Sequence, residues 1–429
     1  SLEVNDSIEL NNDSRTFLKI LNSMDESLSS YLMTSQKAGD DFEIIYNAAG
    51  NSNEISQITF KKSEEIDFLE VIVRSDKQIA LEIDLENLLS EEDIYGLGGI
   101  YNGTWLVRVD DQGTENLTSL SEIKIDSGSW IGARTRFWSF LISSPNQKLS
   151  INEINTSSSK LVISSMSLDG FHKFRLYFGP LNTKQLTQLD SKLRDLMYSA
   201  LWDWLRQLCF FIEWIFVWLL SMTGNPGFSI LFLACILKVI IFPLNQIAER
   251  LQDDVNEIQS SLQPKINEIK KVFSGEEANQ KIMKLYKDKN ISPFYSMKSL
   301  FGFLIQIPIF IAVFDVLGES IYLMNESFLF IDDLSKPDRW VLLPIFIPFF
   351  GPSFNLLPLC MMIISMLSAF LYYDRNLSSD LLSNQKRNLY FMSLLFFILL
   401  FTFPSGMVLY WTASNILQLL QIQIKKALH

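Results

Sequence analysis

The second half of the sequence contains apolar stretches that a water-soluble domain of this size has no use for. A helix that spans a bilayer needs about 20 consecutive, largely apolar residues. Five segments approach this length and are predicted to cross a membrane: 228–244, 299–317, 356–373, 389–403 and 407–424. We therefore expect a multi-domain integral membrane protein whose residues 225–429 form an α-helical core of five transmembrane helices.

The first 200 residues have a different character. They hold 30 of the 48 acidic residues and 18 of the 36 basic ones, which accounts for the whole net charge of −12. Short runs of alternating apolar and polar residues, separated by turns such as Asn102-Gly103 and Asp169-Gly170, predict an all-β, sandwich-like domain over 1–182. Residues 1–40 are rich in Asn, Ser and Asp with some helical periodicity, so we expect a loosely packed start.

A linker, 183–224, is expected to join the two halves. A helix is predicted over 183–206, directly after Gly179-Pro180. The aromatic-rich segment 207–222 is only 16 residues long and contains Glu213. We interpret it as an amphipathic helix lying on the outer membrane surface, where tryptophans are favoured.

Loop charges predict the orientation of the helices. Segment 246–298 has nine lysines and arginines, whereas 318–339 has two against five acidic residues. Because basic loops are retained in the cytoplasm, 246–298 and the C-terminus should be cytoplasmic, and the acidic domain and the loop 318–355 should lie outside. Within that loop 340–355 is apolar but interrupted by prolines, which favours an interfacial or re-entrant segment. The chain starts at Ser1 without a signal sequence, so a removed signal or a preceding transmembrane helix is expected.

Lys238 is the main candidate for a functional residue because it lies inside the first predicted span. An intramembrane charge costs about 2.5–3.5 kcal/mol even on lenient scales, which favours a hydrated, protein-facing position. The alternative is that the side chain snorkels to the cytoplasmic headgroups. Gln306 on the second span is at comparable depth, and the last span adds Asn415 and Gln418. Together they favour a wet cavity open to the cytoplasm over simple helix–helix hydrogen bonding.

Metal, disulfide and enzyme chemistry are not indicated. Cys209, Cys235 and Cys360 have no disulfide or zinc spacing, and His172 and His429 are the sole histidines. The sequence has no P-loop, nucleophile elbow or zinc-protease motif. We expect a protein that is not an enzyme, needs no cofactor or metal and does not bind DNA.

The basic segment 246–298 is predicted to be a hairpin of two antiparallel helices. Apolar residues recur every three to four positions on both sides of a break at Ser274-Gly275. Packing accounts for most of them, while exposed lysines could meet anionic lipid, a nascent chain or ribosomal RNA.

Motifs in the same half resemble a known family. They are Gly227-Phe228-Ser229-Ile230 with Lys238 and Phe242-Pro243-Leu244, then Leu262-Gln263-Pro264-Lys265-Ile266, Leu285-Tyr286-Lys287, Leu304-Ile305-Gln306-Ile307-Pro308-Ile309-Phe310, and Phe403-Pro404-Ser405-Gly406-Met407-Val408-Leu409-Tyr410-Trp411. Their order resembles the YidC family of membrane-protein insertases, of the bacterial type with a large periplasmic domain. The resemblance covers 177–429; residues before it fit in strand-rich character and position.

This resemblance implies a function and a site. It implies an insertase or chaperone of the bacterial inner membrane that moves segments of nascent membrane proteins into lipid without nucleotide hydrolysis, alone or with the Sec translocon. The implied substrate groove contains Lys238, Gln306, Tyr410, Trp411, Asn415 and Gln418. The implied cytoplasmic hairpin, a contact for clients or the ribosome, contains Leu262, Pro264, Lys265, Leu285, Tyr286 and Lys287. An aromatic belt at the membrane surface is the plainer interpretation of Tyr410 and Trp411.

The sequence departs from the family pattern at two places, and two other functions are alternatives to the insertase. Lys238 stands where the family commonly has Arg, which keeps the charge but loses the bidentate fork; residues 340–355 look like an insertion. An ion or solute transporter using Lys238 and Gln306 is the main alternative, and it would show flux in vesicles. An external binding sandwich anchored by helices would leave both residues unexplained.

Overall fold

The computed structural model describes residues 2–4, 8–12, 15–22, 31–37, 42–48, 55–62, 68–84, 94–117, 123–155, 160–167, 169–289, 291–292, 294–295, 297–373 and 377–428. Contacts divide the chain into two units. The β unit comprises Ser1–Asp93 and Ile100–Leu201, and the helical unit comprises Ile94–Gly99 and Trp202–His429.

The β unit contains sixteen described strands. They are β1 (Leu2–Val4), β2 (Ile8–Asn12), β3 (Arg15–Asn22), β4 (Tyr31–Lys37), β5 (Phe42–Ala48), β6 (Ile55–Lys62), β7 (Leu69–Ser75), β8 (Ile79–Asp84), β9 (Trp105–Asp110), β10 (Gly113–Asn116), β11 (Ile123–Ile125), β12 (Trp130–Arg134), β13 (Trp138–Ser143), β14 (Leu149–Asn155), β15 (Lys160–Ser165) and β16 (Phe171–Pro180). One sheet has the order β1-β2-β3-β8-β15-β14-β11, and the other β10-β9-β12-β13-β16-β7-β6-β5-β4.

Both sheets contribute to one apolar core, which makes the unit a sandwich. Leu81 and Ile163 from the first sheet and Val73, Ile142 and Phe174 from the second belong to the same buried cluster. The alternation that predicted the strands produces this core because successive side chains point to opposite faces. The prediction of an all-β, sandwich-like domain is confirmed.

The described part of the first 40 residues is more regular than predicted. The described part of this segment forms strands β1 to β4, and β3 pairs with β8, with Leu18 opposite Ile83. The Asn- and Ser-rich composition resembles a loop, whereas the pairing comes from a partner far along the chain. Register set by such a distant strand is invisible to local periodicity.

The predicted helix 183–206 is wrong in its continuity. Helix α1 (Thr183–Leu189) ends before a 3-10 turn, Ser191–Leu196. Asp190 interrupts the helix: its carboxylate accepts hydrogen bonds from Lys192 N at 3.0 Å and Trp130 Nε1 at 2.9 Å. A short acidic side chain that bonds nearby backbone favours a cap over a helix interior.

The helical unit contains seven helices among the described residues. They are α2 (Asp203–Thr223), α3 (Pro226–Val272), α4 (Gly275–Asp288), α5 (Met297–Gly318), α6 (Leu356–Leu371), α7 (Ser379–Leu400) and α8 (Ser405–Leu428). Helix α2 packs on α3 and α5, α3 on α5 and α8, and α6 on α7 and α8. Two short strands, β17 (Val341–Ile347) and β18 (Gly351–Phe354), precede α6.

The predicted spans and hairpin map onto these helices with one difference. The first span and the first half of the hairpin are one continuous helix of 47 residues, α3. The predicted break is where α3 gives way to α4, with Ser274 as N-cap and Gly275 at φ 61°. Glycine tolerates this left-handed conformation, so the chain reverses there at little cost.

Two of the described helices, α2 and α3, are long and apolar enough to cross a membrane. Length and composition alone make this weak support. One face of α2 is buried through Cys209, Ile212 and Phe216, and the other exposes Trp214 and Trp218. The interfacial position of 207–222 and the count of five crossings stay predictions.

Candidate functional site

Lys238 lies on α3, half-buried, between the buried Leu237 and the exposed Val239. Its Nζ donates a hydrogen bond to Oε1 of Gln418 on α8, at 2.5 Å. The amide oxygen accepts one of the three hydrogen bonds that an ammonium group can donate. The structure therefore brings together two residues of the predicted groove that are 180 positions apart in sequence.

Gln306 bonds a different partner. Its Nε2 donates to Oδ1 of Asn245, at 2.9 Å, so α5 is joined to α3 through two amides. Asn245 lies seven residues after Lys238, two turns along the same face of α3 and about 10 Å away. Gln306 was among the predicted groove residues, whereas Asn245 was missed. The i, i+7 spacing from Lys238 was the signal that could have identified it.

A third polar contact joins α8 to α6. Asn415 Nδ2 donates to Ser365 Oγ at 2.7 Å. By contrast, Thr412 Oγ1 donates to Val408 O, four residues earlier on its own helix. Asn415 thus serves helix–helix contact, the plainer role foreseen for a polar residue in a span.

Tyr410 and Trp411 pack inside the helical unit. Tyr410 is buried, and the Trp411 ring lies 4.9 Å from Phe310 of α5 and 4.9 Å from Phe396 of α7, centroid to centroid. Edge-on and tilted aromatic contacts of this kind stabilise a core. Burial of Tyr410 and the ring contacts of Trp411 favour packing between helices over the belt interpretation.

One end of the helical unit is sealed by the loop 319–338, and we call it the closed end. Backbone N–H groups of Ser405 and Gly406, the first residues of α8, donate to Lys336 O and Leu334 O, both at 2.8 Å. Ser405 Oγ also donates to Asp333 O at 2.9 Å. Donors that a helix start leaves without partners are satisfied by loop carbonyls here. Residues 400–410 are all buried.

Asp338 and Asn355 complete the closed end, and sequence reasoning missed both. Asp338 Oδ2 accepts from Leu356 N at 2.7 Å and Leu357 N at 2.8 Å, capping α6. Asn355 accepts from Arg339 N at 3.0 Å and donates to Phe401 O at 2.6 Å. Burial raises the pKa of the Asp338 carboxyl, against the opposing effect of the two backbone bonds. The signal in the sequence was an acidic residue just before a long apolar run, because a carboxylate is favoured at the start of a helix.

The opposite end carries Lys238, Asn245, Gln306 and Gln418, and we call it the open end. Gln306 and Gln418 are exposed, while Lys238 and Asn245 are half-buried. The two ends of one helical unit thus differ in kind: one has buried hydrogen bonds to backbone groups, and the other has side-chain amides and a charge that are exposed or half-buried.

The predicted hairpin residues divide between packing and exposure. Leu262 is buried and Leu285 and Tyr286 are half-buried, while the charged and proline positions point outward: Pro264, Lys265 and Lys287. The Tyr286 and Tyr295 rings lie 5.9 Å apart, and burial raises the pKa of Tyr295 to about 12. Packing therefore explains the apolar positions. Among the described residues no cluster of His, Cys, Asp and Glu could hold a metal.

Comparison with known proteins identifies a family that matches part of the chain. Residues 218–428 match the family described as 60Kd inner membrane protein, the stretch that carries both ends of the helical unit. This stretch belongs to that family. Its description places the family in an inner membrane.

Relatives that match the chain are named Membrane protein insertase YidC. The chain is 34% identical over 214 residues to the protein of Leptospira interrogans serovar Lai, covering 48% of this chain and 32% of the relative. It is 30% identical over 254 residues to that of Syntrophobacter fumaroxidans, covering 58% of this chain and 42% of the relative. The match thus spans about a third to two fifths of these relatives.

A solved structure of an active YidC insertase, with its first transmembrane domain resolved, is also similar. It covers 96% of this chain and 82% of its own, with 16% identity and a TM-score of 0.38.

Proposed function

We propose that this chain is a membrane-protein insertase that moves hydrophobic segments of newly made proteins from the cytoplasm into the inner membrane. The observation that carries the proposal is the contrast within the helical unit. Lys238 and its amide neighbours are reachable at the open end, while the loop 319–338 covers the closed end. A site open on one side suits capture and sideways release better than passage across.

Lys238 would attract the acidic flank of a client. A pair of opposite charges interacts several-fold more strongly in a half-buried setting than in bulk water, because the effective dielectric constant is lower. The bond to Gln418 holds Nζ in a defined place before a client arrives. A client carboxylate would replace the Gln418 amide oxygen, a neutral acceptor that gives way to a charged one.

Release would follow from the apolar part of the client. Once its polar flank occupies the groove, the apolar segment slides into lipid along the helices at 299–317 and 389–403. Burial of apolar surface, about 25 cal/mol per Å², supplies the driving force. No bond is made or broken, so neither nucleotide nor metal takes part.

The proposal includes the orientation of the chain in the membrane and its partners. The β unit would lie in the periplasm and the C-terminus in the cytoplasm. The helical hairpin, through Lys265 and Lys287 among its exposed residues, would meet clients, lipid or the ribosome. The Sec translocon would be a partner for larger clients.

Reconstitution into liposomes tests the proposal. A short single-span client with an acidic N-terminal tail is added to vesicles that contain wild type, Lys238→Ala or Lys238→Arg. We expect insertion by wild type, loss with Lys238→Ala and recovery with Lys238→Arg, since the charge is what the step needs. Equal insertion by all three would remove Lys238 from the mechanism. No insertion by wild type, together with solute flux, would favour the transporter.

A further inference from the structure

The segment between the closing loop and α6 forms a β-hairpin with an unusual surface. Strand β17 pairs antiparallel with β18, with Val341 opposite Phe354 and Ile347 opposite Gly351. Six of the seven residues of β17 are exposed. The exposed apolar side chains include Leu342 at 73%, Ile345 at 69% and Phe346 at 57%. A soluble surface rarely shows so many large apolar residues side by side.

The hairpin is anchored through its turn and through β18. The Phe350 ring lies 5.1 Å from Phe401, and Phe354 lies 6.3 Å from the same ring. Tyr95, from the short segment Ile94–Gly99 of the helical unit, lies 5.5 Å from Phe346. Strand β17 is therefore exposed on both faces, while the turn and the covered strand β18 hold it against the rest of the helical unit.

The tip of the hairpin holds a phenylalanine in a strained backbone conformation. Phe350 N donates to Ile347 O at 3.1 Å, closing a turn over Pro348 and Phe349. Phe349 has φ 75°, the conformation that favours glycine or asparagine at this turn position. A residue with a side chain is strained in this conformation. A large apolar residue at a strained, exposed tip indicates that its side chain has a use.

The sequence that continues from the hairpin into α6 indicates what covers this surface. No charged residue occurs from Trp340 to Tyr373, a run that contains the hairpin and all of α6. Asp338 caps the first turn of α6, which fixes the hairpin beside the end of that helix. A protein-binding surface of this size would have a polar rim. An uncharged surface joined directly to an apolar helix of an inner membrane protein suits lipid.

Unpaired backbone groups limit how deeply the hairpin can enter a membrane. A hairpin leaves the outer edge of each strand without ladder partners, and such groups are costly in hydrocarbon. Pro344 and Pro348 remove two donors from β17 and its turn. A strand of seven residues extends about 23 Å, short of the hydrocarbon core.

We propose that the β17–β18 hairpin inserts its exposed strand β17 and its turn into the lipid leaflet at the closed end, at the boundary between headgroups and acyl chains. Leu342, Ile345, Phe346 and Phe349 would contact lipid there. The hairpin would thereby hold the closed end at a fixed depth. This inference depends on the helical unit lying in a membrane and does not depend on insertase activity.

Photo-crosslinking tests the inference without an activity assay. The photoreactive residue p-benzoylphenylalanine replaces Phe346 in the full chain, which is reconstituted into liposomes of phosphatidylethanolamine and phosphatidylglycerol. The control places it at Gln112, in the exposed turn between β9 and β10, a hairpin tip with polar neighbours. Both positions are exposed, so both variants should fold, and a single symmetrical elution peak checks this.

The expected result is severalfold more lipid adduct, by mass spectrometry, at position 346 than at 112. Equal adduct at the two positions would overturn the inference. A covalent dimer at 346 in place of lipid would overturn it in favour of a second copy of the chain. Lipid adducts at 346 in a protein that inserts no client would leave this inference standing while the proposed function fails.

Discussion

The closed and open ends of the helical unit use polar groups in opposite ways. At the closed end the first turn of α8 donates its backbone N–H groups to Leu334 O and Lys336 O under full burial. At the open end the contacts join side chains, Lys238 to Gln418 and Gln306 to Asn245, and both glutamines are exposed. Buried backbone bonds cannot be exchanged with water, whereas exposed side-chain bonds can.

This difference separates stability from function. Leaving a buried donor without a partner costs about 1–3 kcal/mol, so changes at the closed end should lower the stability of the helical unit. An exposed amide pair contributes far less, because water replaces either partner. Residues at the open end can therefore change their partners as a client arrives, and their substitution should alter activity before stability.

The largest expected effect comes from the same substitution made at both ends. Leu323 is fully buried under the closed end, and Leu420 on α8 is 51% exposed. Leu323→Ala should lower the free energy of unfolding by about 2–5 kcal/mol, because it leaves a cavity. Leu420→Ala should cost under about 1 kcal/mol, since the removed atoms were partly exposed. Denaturant unfolding in detergent measures both; similar losses would remove the distinction between the ends.

A smaller effect is expected at Asp338, which caps α6. Asp338→Ala leaves the N–H groups of Leu356 and Leu357 without an acceptor and should cost about 1–2 kcal/mol. Asp338→Asn keeps an acceptor oxygen and should cost less. If both variants unfold like wild type, water can replace the carboxylate at these donors, and the cap does not contribute to stability.

The pH dependence of Asp338 sharpens this test. Burial raises its pKa in the folded state above the ordinary value of 3.8. A raised pKa means that the folded state binds the proton more tightly, so the contribution to stability is full below pH 3.8 and is lost as pH rises through the folded value. Asp338→Asn should lack this component. Parallel pH profiles of the two proteins would contradict it.

Local patterns predicted the fold where local forces decide it. Alternation predicted the strands of the sandwich core, and long apolar runs predicted the segments that became α3, α5, α6, α7 and α8. The pattern failed at β3, whose partner β8 is distant in sequence, and at Asp190, which interrupts a helix by bonding Trp130. Both failures come from tertiary partners that no window along the sequence contains.

The candidate site shows the same division. The resemblance and the cost of an intramembrane charge identified Lys238, Gln306 and Gln418, yet their pairing required the structure. The prolines of 340–355 correctly argued against an ordinary spanning helix, but did not predict the β17–β18 hairpin. Asp338 was counted merely as one acid of a loop, because nothing local shows that a carboxylate caps a helix 18 residues later.

The smallest effect on stability is expected at Gln418, and this residue decides whether the open end is free to change partners. Gln418→Ala removes the acceptor of Lys238 Nζ, but water can take its place because Gln418 is exposed. The free energy of unfolding should change by under about 1 kcal/mol. Insertion of the acidic-tailed client should fall, though less than with Lys238→Ala, because the charge remains while its position is no longer held. A loss of stability as large as that of Leu323→Ala would show that the Lys238–Gln418 bond supports the fold, and the two ends would then differ in exposure alone.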